Sequence, residues 1–189
     1  SMDGDIAPIK EIVRLAKKYN ALTFIDEVHA IGMYGPQGAG MAADLGIDHE
    51  IDIIQGTMAK AIGVIGGYIA ASALMIDGIR SFSSGFIFTT SLPPAICAAC
   101  YASVEHLKSS DHERVQLQEK TRALNAALHT AGIPVMRQTQ THILPVLIGD
   151  AEKCKIDHGT ETRITTRWSS GGLTGSLAQC LKNVCHQMA

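Results

Sequence analysis

Thr23-Phe24-Ile25-Asp26-Glu27-Val28-His29-Ala30 is the stretch on which the fold turns. The mostly apolar run Ala21 to Ile25 reads as a strand buried on both faces, and it ends on a carboxylate and an imidazole. Downstream, Ile51 to Ile54 reads as a second strand, ending at Gly56-Thr57 and followed by Met58-Ala59-Lys60-Ala61. Two apolar strands thus deliver Asp26, His29 and Lys60 to their C-terminal ends. The neighbours of Lys60 are Ala59, Ala61, Ile62 and Gly63, a poor setting for a solvated face. Small apolar surroundings disfavour the ammonium form, so this amine is expected to titrate below an ordinary lysine.

Working outward, Ile6 to Tyr19 reads as a helix. Ile9, Ile12, Val13 and Leu15 recur at helical spacing, Lys17-Lys18 suit the last turn, and Asn20 is the stop. Between the two strands lies Gly32-Met33-Tyr34-Gly35-Pro36-Gln37-Gly38-Ala39-Gly40, which is either an ordinary surface loop or backbone packed closely near a cofactor. Gly66 to Ala71 reads as a strand, Leu74 to Phe82 as a helix, and Phe86 to Thr89 as a further strand. Pro93-Pro94 suit the first turn of a buried helix, and helical pattern continues to about Gly132 with a break near Ser109-Ser110-Asp111. Thr141 to Ile148 alternates and reads as a half-buried strand. Lys155 to Gly172 lacks periodicity, and Leu173, Leu177, Leu181, Val184 and Met188 predict a closing amphipathic helix. Strands alternating with helices place the chain in the α/β class, with a mostly parallel sheet.

The composition is that of a globular protein: 189 residues, 46% hydrophobic, 18% charged, net charge -2. No basic surplus points to nucleic acid. No apolar run reaches the roughly 20 residues of a membrane span. Cys97, Cys100, Cys154, Cys180 and Cys185 are odd in number and form no disulfide framework. Cys97 and Cys100 are expected to be small buried side chains. A metal site at Cys180, Cys185 and His186 fits no familiar ligand spacing, so no metal is expected. Reduced cysteines imply a reducing compartment. The chain opens Ser1-Met2-Asp3, and it is expected to begin partway into a longer protein.

Taken singly, the polar residues have ordinary explanations. Asp26 caps a turn, His29 is a satisfied histidine, and Thr89-Thr90-Ser91 cap a helix. Together and in this order they match what pyridoxal phosphate (PLP) chemistry needs. A lysine forms a Schiff base with the cofactor aldehyde, and an aspartate keeps the pyridine nitrogen protonated. Thr57 and the hydroxyls and amides at Thr89-Thr90-Ser91 are candidates for an anion such as the cofactor phosphate.

Longer motifs sharpen this reading. They are Ile25-Asp26-Glu27-Val28-His29-Ala30 with Gly32-Met33-Tyr34-Gly35, Ile51 to Thr57, Gly66-Gly67-Tyr68-Ile69-Ala70, and Gly85-Phe86-Ile87-Phe88-Thr89-Thr90-Ser91-Leu92-Pro93-Pro94. From about Met2 through Lys155 the chain resembles the α-oxoamine synthases, fold-type I PLP enzymes that condense an amino acid with an acyl-CoA. The resemblance implies a large PLP-binding domain, of which residues 1–108 are the C-terminal part, and a truncated small α+β domain over 109–189. It implies Lys60 as the Schiff-base lysine and acid/base, Asp26 at the pyridinium nitrogen, His29 on the phenolic oxygen and Val28 packed on the ring. Thr57 would contact the phosphate. Thr89 and Thr90 would reach the cofactor of a neighbouring subunit, which makes the protein a homodimer with shared sites. Arg163, in Gly159-Thr160-Glu161-Thr162-Arg163-Ile164-Thr165, resembles the arginine that grips the substrate carboxylate. Within that resemblance, Asp26-Glu27-Val28-His29 and Gly85-Phe86-Ile87-Phe88 tip the reading away from the sister enzymes. The resemblance then implies glycine and succinyl-CoA as substrates, and places the protein in the cytoplasm of a bacterium or, alternatively, the mitochondrial matrix.

Departures from the family are specific. Against the family pattern, these 189 residues are expected to lack the N-terminal half, with its glycine-rich segment and the side chain that stacks on the ring. The lysine motif usually reads Thr-Leu-Gly-Lys, and here it is Thr57-Met58-Ala59-Lys60. After Lys155 the small domain is incomplete. The 189 residues alone are therefore expected to turn over little. The alternatives are a sister enzyme such as a glycine C-acetyltransferase, or a non-catalytic truncated homologue that acts only as a dimer partner.

Overall fold

A computed structural model describes residues 2–150. In chain order the elements are α1 (Ile9–Lys18), β1 (Phe24–Asp26), α2 (Met41–Asp44), β2 (Ile53–Thr57), β3 (Gly67–Ala71), α3 (Ala73–Phe82), α4 (Ser84–Ile87), α5 (Pro94–Ser109) and α6 (His112–Thr130). Residues 7–116 form one compact unit. The described part of the other is 2–6 with 117–150. Arg163, the closing helix, Cys154, Cys180, Cys185 and His186 lie outside the described residues.

The first unit is built on a three-stranded sheet of order β1-β2-β3. β1 runs parallel to β2, with Phe24 opposite Ile53 and Asp26 opposite Gln55. β2 pairs antiparallel with β3, from Ile53 opposite Ala71 to Thr57 opposite Gly67. The sheet is thus mixed among the described strands, where a mostly parallel one was expected. The reason is local: the loop after Thr57 is short enough to fold back as a hairpin, whereas a parallel return needs a crossover of a dozen or more residues. Met58 closes that loop, its amide donating to the Gly66 carbonyl at 2.9 Å and its carbonyl accepting from the Val64 amide at 2.8 Å.

The parallel pair is fastened at its N-terminal end. Thr23 donates to Asp52 Oδ2 from its amide at 2.8 Å and its hydroxyl at 2.9 Å, while the Asp52 amide donates to Thr23 Oγ1 at 2.9 Å. These bonds hold the Asp52 carboxyl below the usual carboxylate range, the Thr23 amide being the largest cause. α1 follows its sequence pattern. Ile9 and Val13 are buried, Lys17 and Lys18 occupy the last turn, and Asn20 stops the helix with φ 52°.

α3 is capped by Ser72, whose Oγ accepts from the Met75 amide at 3.3 Å. α5 starts with proline in its first turn, as expected. The expected break between α5 and α6 is real. Ser110 is extended there, and its hydroxyl donates to Glu113 Oε2 at 2.8 Å. Arg114 is buried and donates to the Leu107 carbonyl at 3.0 Å and to Asp111 Oδ1 at 3.1 Å, which fixes the corner. Among the described residues, no helix is long and apolar enough to cross a membrane.

Four local expectations are corrected. Phe86 to Thr89 is no strand: Ser84–Ile87 is a short helix, with the Phe86 and Ile87 amides both donating to the Ser83 carbonyl. A strand needs a partner ladder, and here local turn bonds satisfy the backbone instead. Thr141 to Ile148 forms only an isolated antiparallel bridge between Val135 and Val146. Pro145 has no N–H to extend a ladder, and the adjacent Leu144 and Pro145 are both buried, which breaks the alternation. β1 is not buried on both faces, since Phe24 is 57% exposed. The strand order leaves β1 at the sheet edge. Cys97 is exposed and Cys100 half-buried, because no residue of α5 is fully buried. In the other unit, Leu128 and Leu144 are buried. There the Gln140 and Thr141 amides donate to the Gly4 carbonyl at 2.7 and 3.0 Å.

Candidate functional site

The parallel register sets the site. β1 ends at Asp26 opposite Gln55, and β2 runs on to Thr57, so the segments after both strands leave the same edge of the sheet. Clefts outside the carboxyl ends of parallel strands are where α/β folds bind ligands. The chain after β1 turns at once: the Ala30 and Ile31 amides donate to the Glu27 carbonyl at 2.8 and 2.9 Å. That turn carries His29. The chain after β2 enters the 58–66 loop, where the Gly63 amide donates to the Lys60 carbonyl at 3.0 Å. Lys60 Nζ lies 2.5 Å from His29 Nε2 and 3.5 Å from Nδ1. Residues 31 apart in sequence are thereby joined in one contact.

The electrostatics of the pair follow from partial burial. Burial lowers the Lys60 pKa from the ordinary lysine value, and the Asp26 charge opposes it. Burial also lowers the His29 pKa, the Lys60 charge adds to this, and Asp26 opposes it. Burial thus disfavours the charged form of both side chains, and the two nitrogens lie within hydrogen-bond distance of each other. Asp26 is exposed, and its Oδ1 accepts from the Val28 amide at 2.8 Å, which orients the carboxylate at the strand end. Val28 is half-buried in the same turn.

A stability consequence follows. The folded chain resists protonating His29, whereas the unfolded chain takes the proton near the ordinary value of 6.5. As pH falls below that value the unfolded state binds more protons, so stability declines. We expect the urea midpoint of the full chain to drop between pH 7.5 and 5.5, and His29→Gln to flatten that slope. Parallel slopes in the two proteins refute this.

The glycine-rich loop packs closely against the lysine segment. Gly32 has φ 80°, and a Cβ there would lie 2.4 Å from the Cβ of Ala61, the residue after Lys60. The loop is therefore closely packed rather than an ordinary surface loop. Thr57 serves the lysine loop as well. Its hydroxyl donates to the Gly66 carbonyl at 3.2 Å and accepts from the Ala59 amide at 3.2 Å. Ala59, at the place where glycine is usual, is exposed and not in the left-handed region; Gly63 and Gly66 hold the left-handed positions of this loop. Thr89 and Thr90 are exposed in the segment before α5, which begins at Pro94.

Sequence reasoning passed over Glu27, which is buried between Asp26 and Val28. The signal was present in its position: an acidic residue inside a motif whose neighbours were all assigned roles. Among the described residues, no group of three or more His, Cys, Asp or Glu side chains is placed to hold a metal.

A lysine loop and an aspartate-bearing strand end, brought together by a parallel pair, define a class of protein. The aminotransferase class I and II family matches residues 1–169, and the chain belongs to that family. Its fold is that of the fold-type I PLP-dependent transferases. The chain is 57% identical over 155 residues to the 5-aminolevulinate synthase of Bradyrhizobium diazoefficiens, covering 82% of this chain and 38% of that protein. It is 53% identical over 157 residues to the mitochondrial 5-aminolevulinate synthase of Schizosaccharomyces pombe, covering 82% of this chain and 28% of that one. A solved structure of SPT with PLP superposes with a TM-score of 0.76 at 34% identity, covering 81% of this chain and 39% of that chain. The chain thus spans well under half the length of these relatives.

Proposed function

We propose that this chain is part of a 5-aminolevulinate synthase, which condenses glycine with succinyl-CoA to give 5-aminolevulinate, CoA and carbon dioxide, the entry to haem synthesis. The observation that carries the reading is the contact of Lys60 with His29 beside Asp26 at the edge of the sheet. The sequence similarity to named synthases supports the choice of substrates.

The donor set fits pyridoxal phosphate. Lys60 offers an amine held toward its neutral form, the state able to attack an aldehyde. Asp26 presents an exposed carboxylate suited to hold a proton at a pyridine nitrogen. His29 offers a ring nitrogen for a phenolic oxygen, and Val28 an apolar surface for a ring. When bound, the cofactor supplies an electron sink for a carbanion next to an amino nitrogen. Lys60 would hold the cofactor through its amine and, when freed, would serve as the base for the glycine α-proton, with the adjacent His29 positioning that amine. Thr57 holds the loop and is a candidate phosphate contact. Arg163, outside the described residues, is the candidate for the glycine carboxylate.

The assembly we infer is a homodimer with shared sites. Leu74, Phe82 and Phe88 are strongly exposed near Thr89 and Thr90 in sequence, and an apolar surface of this kind needs covering. A partner subunit on this face would bring Thr89 and Thr90 to its cofactor phosphate. Residues 1–108 belong in this reading to the large domain and 109–189 to the small one. The compartment is the bacterial cytoplasm or the mitochondrial matrix, with no membrane or nucleic-acid partner.

CoA release by the full-length protein of which we propose this chain to be part, with PLP, tests the reading. Release that requires both glycine and succinyl-CoA is expected, with acetyl-CoA a poor substitute. A preference for acetyl-CoA would instead assign a glycine C-acetyltransferase. No release with any acyl-CoA, in a folded dimer, would favour the non-catalytic dimer partner.

A further inference from the structure

Glu27 is 2% exposed, and charged side chains are rarely buried so fully without partners. Both its carboxylate oxygens are engaged. Oε2 accepts from the Met41 amide at 2.9 Å and Oε1 from the Ala42 amide at 2.7 Å, the first two amides of α2. Its main chain reaches two further segments. The Glu27 amide donates to the Gln55 carbonyl in β2 at 2.8 Å, and its carbonyl accepts from the Ala30 and Ile31 amides. Gly40 lies against the carboxylate with φ 110°, and a Cβ there would fall 3.1 Å from both Cδ and Oε2 of Glu27. One residue therefore joins the strand leading to Lys60, the turn carrying His29 and the end of the glycine-rich loop.

The geometry points to Glu27 as a positioning residue for the Lys60–His29 contact, its buried carboxylate clamping the 27–31 turn to α2 so that the imidazole meets the amine. The kinetic consequence rests on the function proposed above; the positioning itself does not. Charge-assisted hydrogen bonds are short and directional, so a two-point clamp fixes the turn better than packing alone. The imidazole is displaced if the clamp is lost, and misplacement by about 1 Å costs about 100-fold in rate.

The test uses Glu27→Gln and Glu27→Asp in the full chain, with Thr23→Val as control. Gln offers only one acceptor to the two amides. Asp keeps the charge on a shorter arm. Thr23→Val removes the hydroxyl bonded to Asp52 on the same strand pair, away from the turn. Two quantities are read: the NMR titration of His29 without added cofactor, and kcat and KM for glycine with PLP. The Lys60 and N-terminal charges lower the His29 pKa and Asp26 raises it, and all three are retained in every variant. Glu27→Gln is expected to move the His29 pKa back toward 6.5 and to lower kcat by about 100-fold with KM little changed. Glu27→Asp is expected to fall between, and Thr23→Val to change neither readout at an equal loss of unfolding midpoint. An unmoved His29 titration in folded Glu27→Gln overturns the proposal, as does an equal shift in Thr23→Val. Where Glu27→Gln fails to fold, an unmoved titration in Glu27→Asp overturns it. A shifted titration in a protein that never turns over glycine supports the positioning role and refutes the proposed activity.

Discussion

Lys60→Ala is expected to abolish both covalent PLP attachment and synthase turnover in the full chain. Two roles meet in this one amine. In the function proposed above it would be both the nucleophile that holds the cofactor and the base that takes the glycine α-proton. Loss of a positioned general base alone costs up to about 10⁴-fold, and loss of attachment adds to that. His29, 2.5 Å from the amine, has no primary amine with which to form a Schiff base and so cannot replace the attachment. The measurement is the visible absorbance on adding PLP, with borohydride trapping and peptide mapping to find the attached residue. PLP trapped in the Lys60→Ala protein, or the parent trapped at another lysine, refutes the assignment of Lys60. Alanine also removes the ammonium that lowers the His29 pKa, so His29 should titrate higher in this variant.

Asp26→Asn should spare cofactor binding more than chemistry. A carboxylate beside the pyridine nitrogen raises that nitrogen's pKa by about 1–3 units through charge pairing, and an amide cannot. Each unit is worth about tenfold in rate, so kcat should fall by about 10- to 1000-fold. A second consequence needs no cofactor. Asp26 raises the pKa of both Lys60 and His29, against the lowering effect of burial. Removing its charge should therefore move both groups lower still and shift the basic limb of any lysine titration to lower pH. Glycine α-proton exchange in deuterated water reads the chemistry, and NMR titration of the two side chains reads the field. Exchange at the parent rate, or unmoved titrations, would show that Asp26 does not act on this site.

The local readings that held are those where one segment contained its own cause. α1 was legible because Ile9 and Val13 recur at helical spacing and Asn20 tolerates the left-handed stop. The break before α6 was legible because Ser110 competes for backbone bonds. Phe86-Ile87-Phe88 misled because aromatic and β-branched residues favour strands only when a neighbouring strand is present. Thr141 to Ile148 misled because alternation cannot outweigh the missing amide of Pro145. Cys97 was read as buried from apolar neighbours, yet the exposure of α5 depends on what packs against it.

The candidate site divides along the same line. The sequence by itself determined the chemistry available: a lysine in small apolar surroundings, an aspartate and a histidine after a strand, and a glycine-rich stretch between. The small apolar neighbours of this amine suggested a lowered pKa, but the lowering itself comes from burial, which the fold supplies. Only the tertiary structure decided that these groups meet. The parallel register of β1 with β2 places both strand exits on one edge, and such pairing is a long-range choice that no local window contains. The same is true of Glu27. Its sequence neighbours mark it as one more charge beside Asp26, and only the fold carries the Met41 and Ala42 amides back to it. A buried carboxylate is stable solely where such donors are supplied, and residues distant in the chain supply them here.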